Sequence, residues 1–315
     1  MHDHKEESAT SFFAREIDSV NLPQPANVRI LIGMKIARYW TRAAGEANLD
    51  GRQIRVTARG WSDEGIDAAR ACARQIAQRV AERIASQPGR APRYPYGDRP
   101  LPEPVLSEMR DEAGLSAVIT RNAYGALVMN TAQMMFVDID QTAPAPASSI
   151  KNLFGSLFGK PAPKEADPVI QKISQVIARR DLAARVYRTA AGYRVLITTR
   201  RFPVQGAESE ALLNEFGSDP LYVRLCRMQE SFRARLTPKP WRVSLRNPPV
   251  EFPFETAAAQ AQFEAWDREY QSRTAGHATC AFQTDIGRGH ALAEFEPLIR
   301  LHDERTRATS GLPLA

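Results

Sequence analysis

The stretch "SAVITRNAYGALVMNTAQMMFVDID", residues 116–140, contains three short runs of strand-forming residues with very short spacers between them. The runs are SAVITRN, GALVMN and MMFVDID, and the spacers are AY and TAQ. A parallel strand pair needs a crossover of a dozen or more residues, so these spacers allow only antiparallel neighbours. The stretch therefore predicts a mixed or antiparallel sheet.

Helical patterns follow this sheet along the chain. Apolar residues at helical spacing predict helices over 167–181, 208–216, 219–231 and 255–275, and residues 184–200 are typical of a β-hairpin turning at AAG. Short strands interrupted by amphipathic helices predict an α+β fold with helices packed on the sheet.

The first hundred residues have a simpler pattern. Ile54, Val56 and Ala58 alternate with polar residues, which predicts a strand, and a long helix capped by Ser62 follows. A proline-rich connector, residues 88–104, comes next, and its prolines exclude regular structure. We therefore expect a smaller N-terminal α/β portion over 1–100 and an α+β core with C-terminal helices over 101–315.

The composition, 43% apolar and 25% charged residues, is typical of a soluble globular protein. No run of about 18 apolar residues occurs, so no membrane-spanning helix is expected. The N-terminus lacks a secretory signal pattern, and the three cysteines are few and odd in number. These features predict reduced thiols and a cytoplasmic location.

Positive charge is concentrated in residues 179–242, which hold thirteen Lys and Arg against six Asp and Glu, a net charge of +7. The whole chain carries only +6. Such a segment favours an anionic partner, either nucleic acid, a nucleotide or an acidic protein. The alternative is an arginine-rich solvated surface with no partner.

The segment "FRARLTPKPWR" gathers several of these cations around one tryptophan. We expect phosphate contacts from its basic side chains and stacking of a base on Trp241; the basic residues are Arg233, Arg235, Lys239 and Arg242. The alternative is that TPKPW is a stiff corner with Trp241 in the core.

Asp138 and Asp140 end the third strand run. Side chains alternate along a strand, so both carboxylates lie on one face, separated by roughly 6–7 Å of strand rise. Carboxylates and phosphate oxygens are ligands that Mg²⁺ and Mn²⁺ prefer. Because the two charges repel each other, a metal or a basic group must compensate them. The alternative is that the aspartates only end a strand.

The motif FVDIDQT resembles the first motif of the haloacid dehalogenase family, and VLITT resembles its second. This resemblance implies a phosphatase with Asp138 as nucleophile and Asp140 as general acid/base. That family has a doubly wound parallel sheet, whereas the runs before Asp138 predict antiparallel strands.

The order of elements over residues 117–285 resembles the catalytic core of archaeo-eukaryotic primases and primase-polymerases. The resemblance implies an RRM-like core and metal-dependent nucleotidyl transfer, with Mg²⁺ or Mn²⁺ on Asp138 and Asp140 and with Asp285 as a third acid. It also implies phosphate contacts from the hairpin, to which Arg188 and Arg194 belong. Arg194 stands where the family has histidine, and arginine can bind a phosphate bidentately.

A non-catalytic nucleic-acid-binding or scaffold protein with an RRM-like fold is the alternative to this chemistry. Arg194 decides between two arrangements of the aspartates. We expect Asp138, Asp140 and Arg194 to face one cleft that holds a metal and a nucleotide phosphate. A direct pairing of Arg194 with the aspartates would instead indicate a structural ion pair.

Overall fold

The structure, a computed structural model, describes residues 33–86, 99–112, 114–141 and 167–315. Within these ranges the chain forms two compact units. The first contains residues 37–86, 99–102 and 253–255; the second contains 33–36, 103–112, 114–141, 167–252 and 256–315. Most of the proline-rich connector and residues 142–166, which follow the two aspartates, lie outside the described residues.

The first unit is a β-hairpin with one helix on its face. Strands β1 (Tyr39–Leu49) and β2 (Arg52–Ser62) pair antiparallel, and helix α1 spans Ile66–Ser86. Asp50 and Gly51 form the turn with φ of 48° and 81°, which is the pattern of a type I′ hairpin. The predicted strand and helix are present, but the helix begins at Ile66 rather than directly after Ser62.

The second unit contains two four-stranded sheets, in the orders β10-β7-β8-β6 and β3-β4-β5-β9, here called sheet A and sheet B. All pairings between the named strands are antiparallel. The strands are β3 (Val105–Asp111), β4 (Gly114–Arg121), β5 (Leu127–Thr131), β6 (Phe136–Asp140), β7 (Ala183–Thr189), β8 (Gly192–Ile197), β9 (Phe232–Arg235) and β10 (Cys280–Gly287).

Five α-helices of this unit are described: α2 (Pro168–Arg179), α3 (Ala207–Phe216), α4 (Pro220–Gln229), α5 (Ala257–Thr274) and α6 (Glu296–Thr306). The Asp-Pro pairs explain where two of them begin. Asp167 caps α2 and Asp219 caps α4, and a proline with no N–H to satisfy occupies the next position. Among the described residues, no helix combines the length and the apolar character needed to cross a bilayer.

The prediction of an α+β fold with antiparallel sheets and packed helices is confirmed. Strands β6 and β7 flank β8, so β6, α2 and β7 form a β-α-β unit with a strand inserted between its two strands. This arrangement differs from a doubly wound parallel sheet, so the architecture implied by the dehalogenase resemblance is not present in the described ranges. The fourth strand of sheet A, β10, pairs with β7, whereas an RRM-like sheet places its last strand beside its first.

One apolar core joins the two sheets and the helices of the second unit. Phe136 and Val137 of β6 lie in it with Met129 of β5 and Phe232 of β9, all fully buried. Strand β6 therefore enters the core at one end, while its other end carries the two aspartates. This position holds the aspartates on a rigid element.

Candidate phosphate-binding site

Asp138 and Asp140 lie at the end of an edge strand whose backbone is held on both sides. The carbonyl of Asp138 accepts hydrogen bonds from Ser218 Oγ at 2.9 Å and from the backbone N–H of Asp219 at 3.3 Å. Gly192 is the cross-strand partner of Asp140, and a Cβ at Gly192 would lie 2.0 Å from the Ile139 carbonyl oxygen. Only glycine permits this close approach of the two strands.

Arg194 pairs directly with Asp138. The two residues are cross-strand partners, and Arg194 donates from Nε to Asp138 Oδ1 at 2.8 Å and from Nη2 to Oδ2 at 3.4 Å. The Arg194 side chain is 1% exposed and that of Asp138 is 34% exposed. Burial by itself would lower the pKa of Arg194, but the Asp138 carboxylate raises it above the usual value. The guanidinium therefore stays charged and neutralises Asp138.

Arg194 also connects three other parts of the second unit. Its Nη1 donates to the carbonyl of Arg235 at 2.8 Å and lies 3.4 Å from His302 Nε2 on α6. His302 Nδ1 lies 3.0 Å from Asp303 Oδ1, and Tyr187 donates its hydroxyl to the same oxygen at 2.6 Å. Helix α6 thus covers the face of sheet A that carries Asp138.

His302 is neutral in this network. Burial lowers the pKa of His302 to about 4, and the Arg194 charge acts in the same direction against the hydrogen bond to Asp303. A neutral ring can donate from Nδ1 to Asp303 and present its Nε2 lone pair to Arg194. The network is therefore satisfied without a metal ion or a second proton.

Beyond Asp138 lies a group of three cations that form no ion pair with a carboxylate of the described residues, here called the cation cluster: Arg235, Lys239 and Arg242. Burial lowers the pKa of Lys239, and repulsion from Arg235 and Arg242 lowers it further. Burial and repulsion from Arg235 also lower the pKa of Arg242. Three like charges held together in this way raise the energy of the protein unless an anion compensates them.

Two guanidinium nitrogens of the cation cluster are buried without a hydrogen-bond acceptor. Within the described ranges, neither Arg235 Nε nor Arg242 Nη1 has a partner. A buried N–H of a charged group that donates to nothing costs on the order of 1–3 kcal/mol or more. Both nitrogens are donors suited to the oxygens of a phosphate.

An aromatic pair borders the cation cluster. The rings of Tyr124 and Trp241 meet edge to face with centroids 5.3 Å apart, and Lys239 Nζ lies 5.3 Å from the centroid of Trp241. Trp241 is 52% exposed. The alternative prediction that it belongs to the core is therefore wrong.

Asp138 and Asp140 belong to the same surroundings as the cation cluster. Both carboxylates act on Lys239, and Asp140 acts on Arg242, in the direction that favours the charged form. The Asp140 carboxylate forms no hydrogen bond or ion pair with any described residue. The site thus combines three cations, one free carboxylate, one neutralised carboxylate and two aromatic rings.

Three residues predicted for the site lie elsewhere. Asp285 is on β10, separated from β6 by two strands and so by about 14 Å across the sheet. Arg188 lies over the ring of Tyr193 at 4.7 Å, on the face of sheet A opposite Asp138. Arg233 forms a buried ion pair with Glu103 at 2.7 Å and donates to Asn130. The structure brings none of these three to the cation cluster.

A metal ion at Asp138 and Asp140 would find few ligands on the chain. Across the parts that the structure describes, no three His, Cys, Asp or Glu side chains are grouped closely enough to hold a metal ion together. Both oxygens of Asp138 face Arg194. Asp140 is therefore the carboxylate free to bind an ion here, and any further ligands would have to come from a bound phosphate or from water.

Sequence patterns did not indicate Tyr124, His302 or Asp303 as parts of this region. Tyr124 lies in the turn between β4 and β5, and only folding brings that turn to Trp241. His302 and Asp303 are adjacent on α6 and meet Arg194 and Tyr187 across more than 100 residues of chain. An aromatic residue in a polar turn was the one available signal for Tyr124.

Comparison of the chain with protein-family models, with curated proteins and with solved structures finds no match.

Proposed function

We propose that the cation cluster binds the phosphate groups of a nucleic acid. The observation that carries this proposal is the pair of buried guanidinium nitrogens, Arg235 Nε and Arg242 Nη1, that donate to no described acceptor. Phosphate oxygens bound at the cluster would offer acceptors to these donors and would compensate the repulsion that lowers the pKa of Lys239. Protein binding of nucleic acids relies on such contacts.

The charges of the cluster define the expected salt dependence. If three phosphates are neutralised, log K should fall with log salt with a slope of about −2 for single strands and about −3 for duplex DNA. A protein that bound through apolar contacts would show little dependence on salt. The slope therefore reports the number of cations that contact phosphate.

The test is fluorescence anisotropy of a labelled oligonucleotide at two salt concentrations. Arg242→Ala and Lys239→Ala should each weaken binding several-fold and reduce the slope by about 1. Arg268→Ala is the matched control. Arg268 is exposed on the face of α5 opposite the buried Trp266 and Tyr270, and the substitution removes the same single charge. Unchanged affinity in both cluster variants, or equal loss in the control, would contradict the proposal.

A second candidate is metal-dependent phosphate chemistry of the primase-polymerase type, with Mg²⁺ or Mn²⁺ held at Asp138 and Asp140. It is supported by the position of both carboxylates on one strand face, within electrostatic range of Lys239 and Arg242. The ion pair between Asp138 and Arg194 favours binding without catalysis.

Isothermal titration with Mn²⁺ and a nucleoside triphosphate tests this candidate. Wild type should release heat that Asp140→Asn abolishes, because Asp140 is the carboxylate not neutralised by Arg194. Asp285→Asn should leave the heat unchanged, since β10 lies at the opposite edge of sheet A. Equal heats in wild type and Asp140→Asn would eliminate a metal at this strand end.

We infer a reducing compartment, the cytoplasm, for this activity. The support is chemical: Cys72, Cys226 and Cys280 are all free thiols, and Cys226 and Cys280 are buried. Burial raises the pKa of Cys226 to about 12, so this thiol stays protonated and unreactive.

A further inference from the structure

The side chain of Trp241 is exposed although its surroundings are rigid. It lies in a 3₁₀ turn, Pro240–Val243, that follows the Pro238-Lys239 pair, and 52% of the residue is accessible. Val243 of the same turn is 7% exposed, so the turn itself is anchored in the unit. A large aromatic ring held out into solvent on an anchored turn is a feature of binding surfaces.

The ring is also fixed in its orientation. The ring of Tyr124 meets it edge to face with centroids 5.3 Å apart, and Lys239 Nζ lies 5.3 Å from its centroid. Such contacts contribute roughly 0.5–1.5 kcal/mol each. A ring positioned in advance loses little entropy when a planar ligand stacks on it.

We infer that Trp241 stacks on an unpaired base and that the ligand of the cation cluster is a single-stranded nucleic acid. The inference rests on the proposed phosphate binding and adds the class of ligand. The cluster contacts backbone phosphates, while Trp241 takes a base of the same strand. Lys239 connects the phosphate contacts with the stacking contact, because it belongs to the cation cluster and its Nζ lies over the Trp241 ring.

Base stacking in a duplex explains why the strand must be single. In a duplex the faces of each base are covered by its neighbours, so an exposed tryptophan has no face to contact. In a single strand the bases can separate and stack on aromatic side chains, each stack contributing about 1–3 kcal/mol irrespective of base identity. The site should therefore prefer single strands and show weak sequence preference.

The experiment compares four probes on the full chain: a DNA single strand of about twelve nucleotides, the RNA of the same sequence, the corresponding DNA duplex, and inorganic tripolyphosphate. Single strands should bind more tightly than duplex. Trp241→Ala should weaken single-strand binding about 5- to 150-fold, the equivalent of one lost stack, while Trp241→Phe retains most of it. The comparison of DNA with RNA shows which strand is preferred.

Tripolyphosphate separates failure of this inference from failure of the proposed function. It has no base, so Trp241→Ala should leave its affinity unchanged, whereas Arg242→Ala should weaken it. Equal affinity for duplex and single strand, with no loss in Trp241→Ala, overturns the stacking role even if phosphate binding is intact. If the wild-type protein binds neither tripolyphosphate nor the oligonucleotide, both the stacking inference and the proposed phosphate binding are overturned. Because Trp241 is exposed, a thermal melt should confirm that Trp241→Ala folds.

Discussion

At the scale of single residues, Arg194 of β8 connects β6, β9 and α6 in the second unit. Its guanidinium is buried, pairs with Asp138, donates to the Arg235 carbonyl and lies against His302. A buried ion pair contributes little compared with an apolar pair of the same shape, but removing one member leaves an uncompensated charge. Arg194 is therefore expected to be needed for folding before it is needed for binding.

We predict that Arg194→Met lowers the free energy of unfolding by about 1–3 kcal/mol, because water partly solvates the one-third-exposed Asp138 carboxylate that is left unpaired. Adding Asp138→Asn should restore part of the loss, because the unpaired carboxylate disappears. Arg227→Met is the control, since Arg227 forms an exposed pair with Glu210 and should change stability by less than about 1 kcal/mol. Urea unfolding measures all three. Equal effects of Arg194→Met and Arg227→Met would refute the prediction.

At the scale of elements, sequence patterns predicted strands β4, β5 and β6, the β7–β8 hairpin and helices α2, α3, α4 and α5. The strands come from short apolar runs, and α2 has a clear apolar stripe. Strand β1 was not predicted. Its sequence YWTRAAGEANL contains small and charged residues in place of β-branched ones, and the Asp50-Gly51 turn was the signal that could have identified it. The small residues have a packing reason.

Gly45 and Gly60 let α1 lie directly on the hairpin. A Cβ at Gly45 would lie 2.3 Å from the backbone nitrogen of Gln78, and one at Gly60 would lie 2.2 Å from that of Ala73. Backbone cannot move aside as a side chain can. We therefore predict that Gly45→Ala destabilises the first unit by about 2 kcal/mol or more, the cost of overpacking.

Thermal unfolding followed by circular dichroism would measure the effect of Gly45→Ala. Gly276→Ala is the matched control, because a Cβ there would meet no atom within 4 Å. A melting temperature of Gly45→Ala equal to that of the control would mean that the helix can move away from the hairpin at no cost.

At the scale of the whole molecule, the distribution of ion pairs shows which cations of the basic segment 179–242 are already neutralised. Among the described residues, Arg and Lys side chains of the segment 179–242 form ion pairs with many carboxylates, including partners outside the segment such as Glu103, Glu294 and Asp303. The cation cluster forms no such pair. A charge count could locate the segment but not the site, because the partners are distant in sequence.

The aspartates could likewise be located from the sequence, but their pairing could not. The sequence was sufficient to predict that Asp138 and Asp140 share a strand face beside Arg194. It could not show whether Arg194 pairs with Asp138 or faces a common ligand, since this depends on α6 and β9, which meet there only in the folded chain. Asp285 was misplaced for a related reason, because strand order is not encoded in local patterns.

Lys239 should make ligand binding depend on pH. Burial and its cationic neighbours lower its pKa in the free protein below the usual 10.5, and a bound phosphate would raise it again. At a pH between the pKa of Lys239 in the free protein and its pKa in the complex, ligand binding adds a proton to Lys239. Affinity should therefore fall as pH rises through the lowered pKa towards 10.5. Anisotropy titrations over this range would measure the effect.

Lys239→Arg provides the control for this pH dependence. Arginine remains charged over the whole range, so the variant should bind with an affinity that no longer changes with pH. If wild type and Lys239→Arg show the same dependence, another group is responsible.

The guanidinium of Arg194 bonds to the Arg235 backbone on one side and meets His302 of α6 on the other. A ligand that restrains Arg235 therefore also restrains a helix that contributes no residue to the cation cluster. In a hydrogen-exchange experiment, amides of α6 should exchange more slowly when oligonucleotide is bound, whereas those of α3 should not change. Slower exchange in α6 would show that occupancy of the cation cluster restrains a helix that contributes no residue to it.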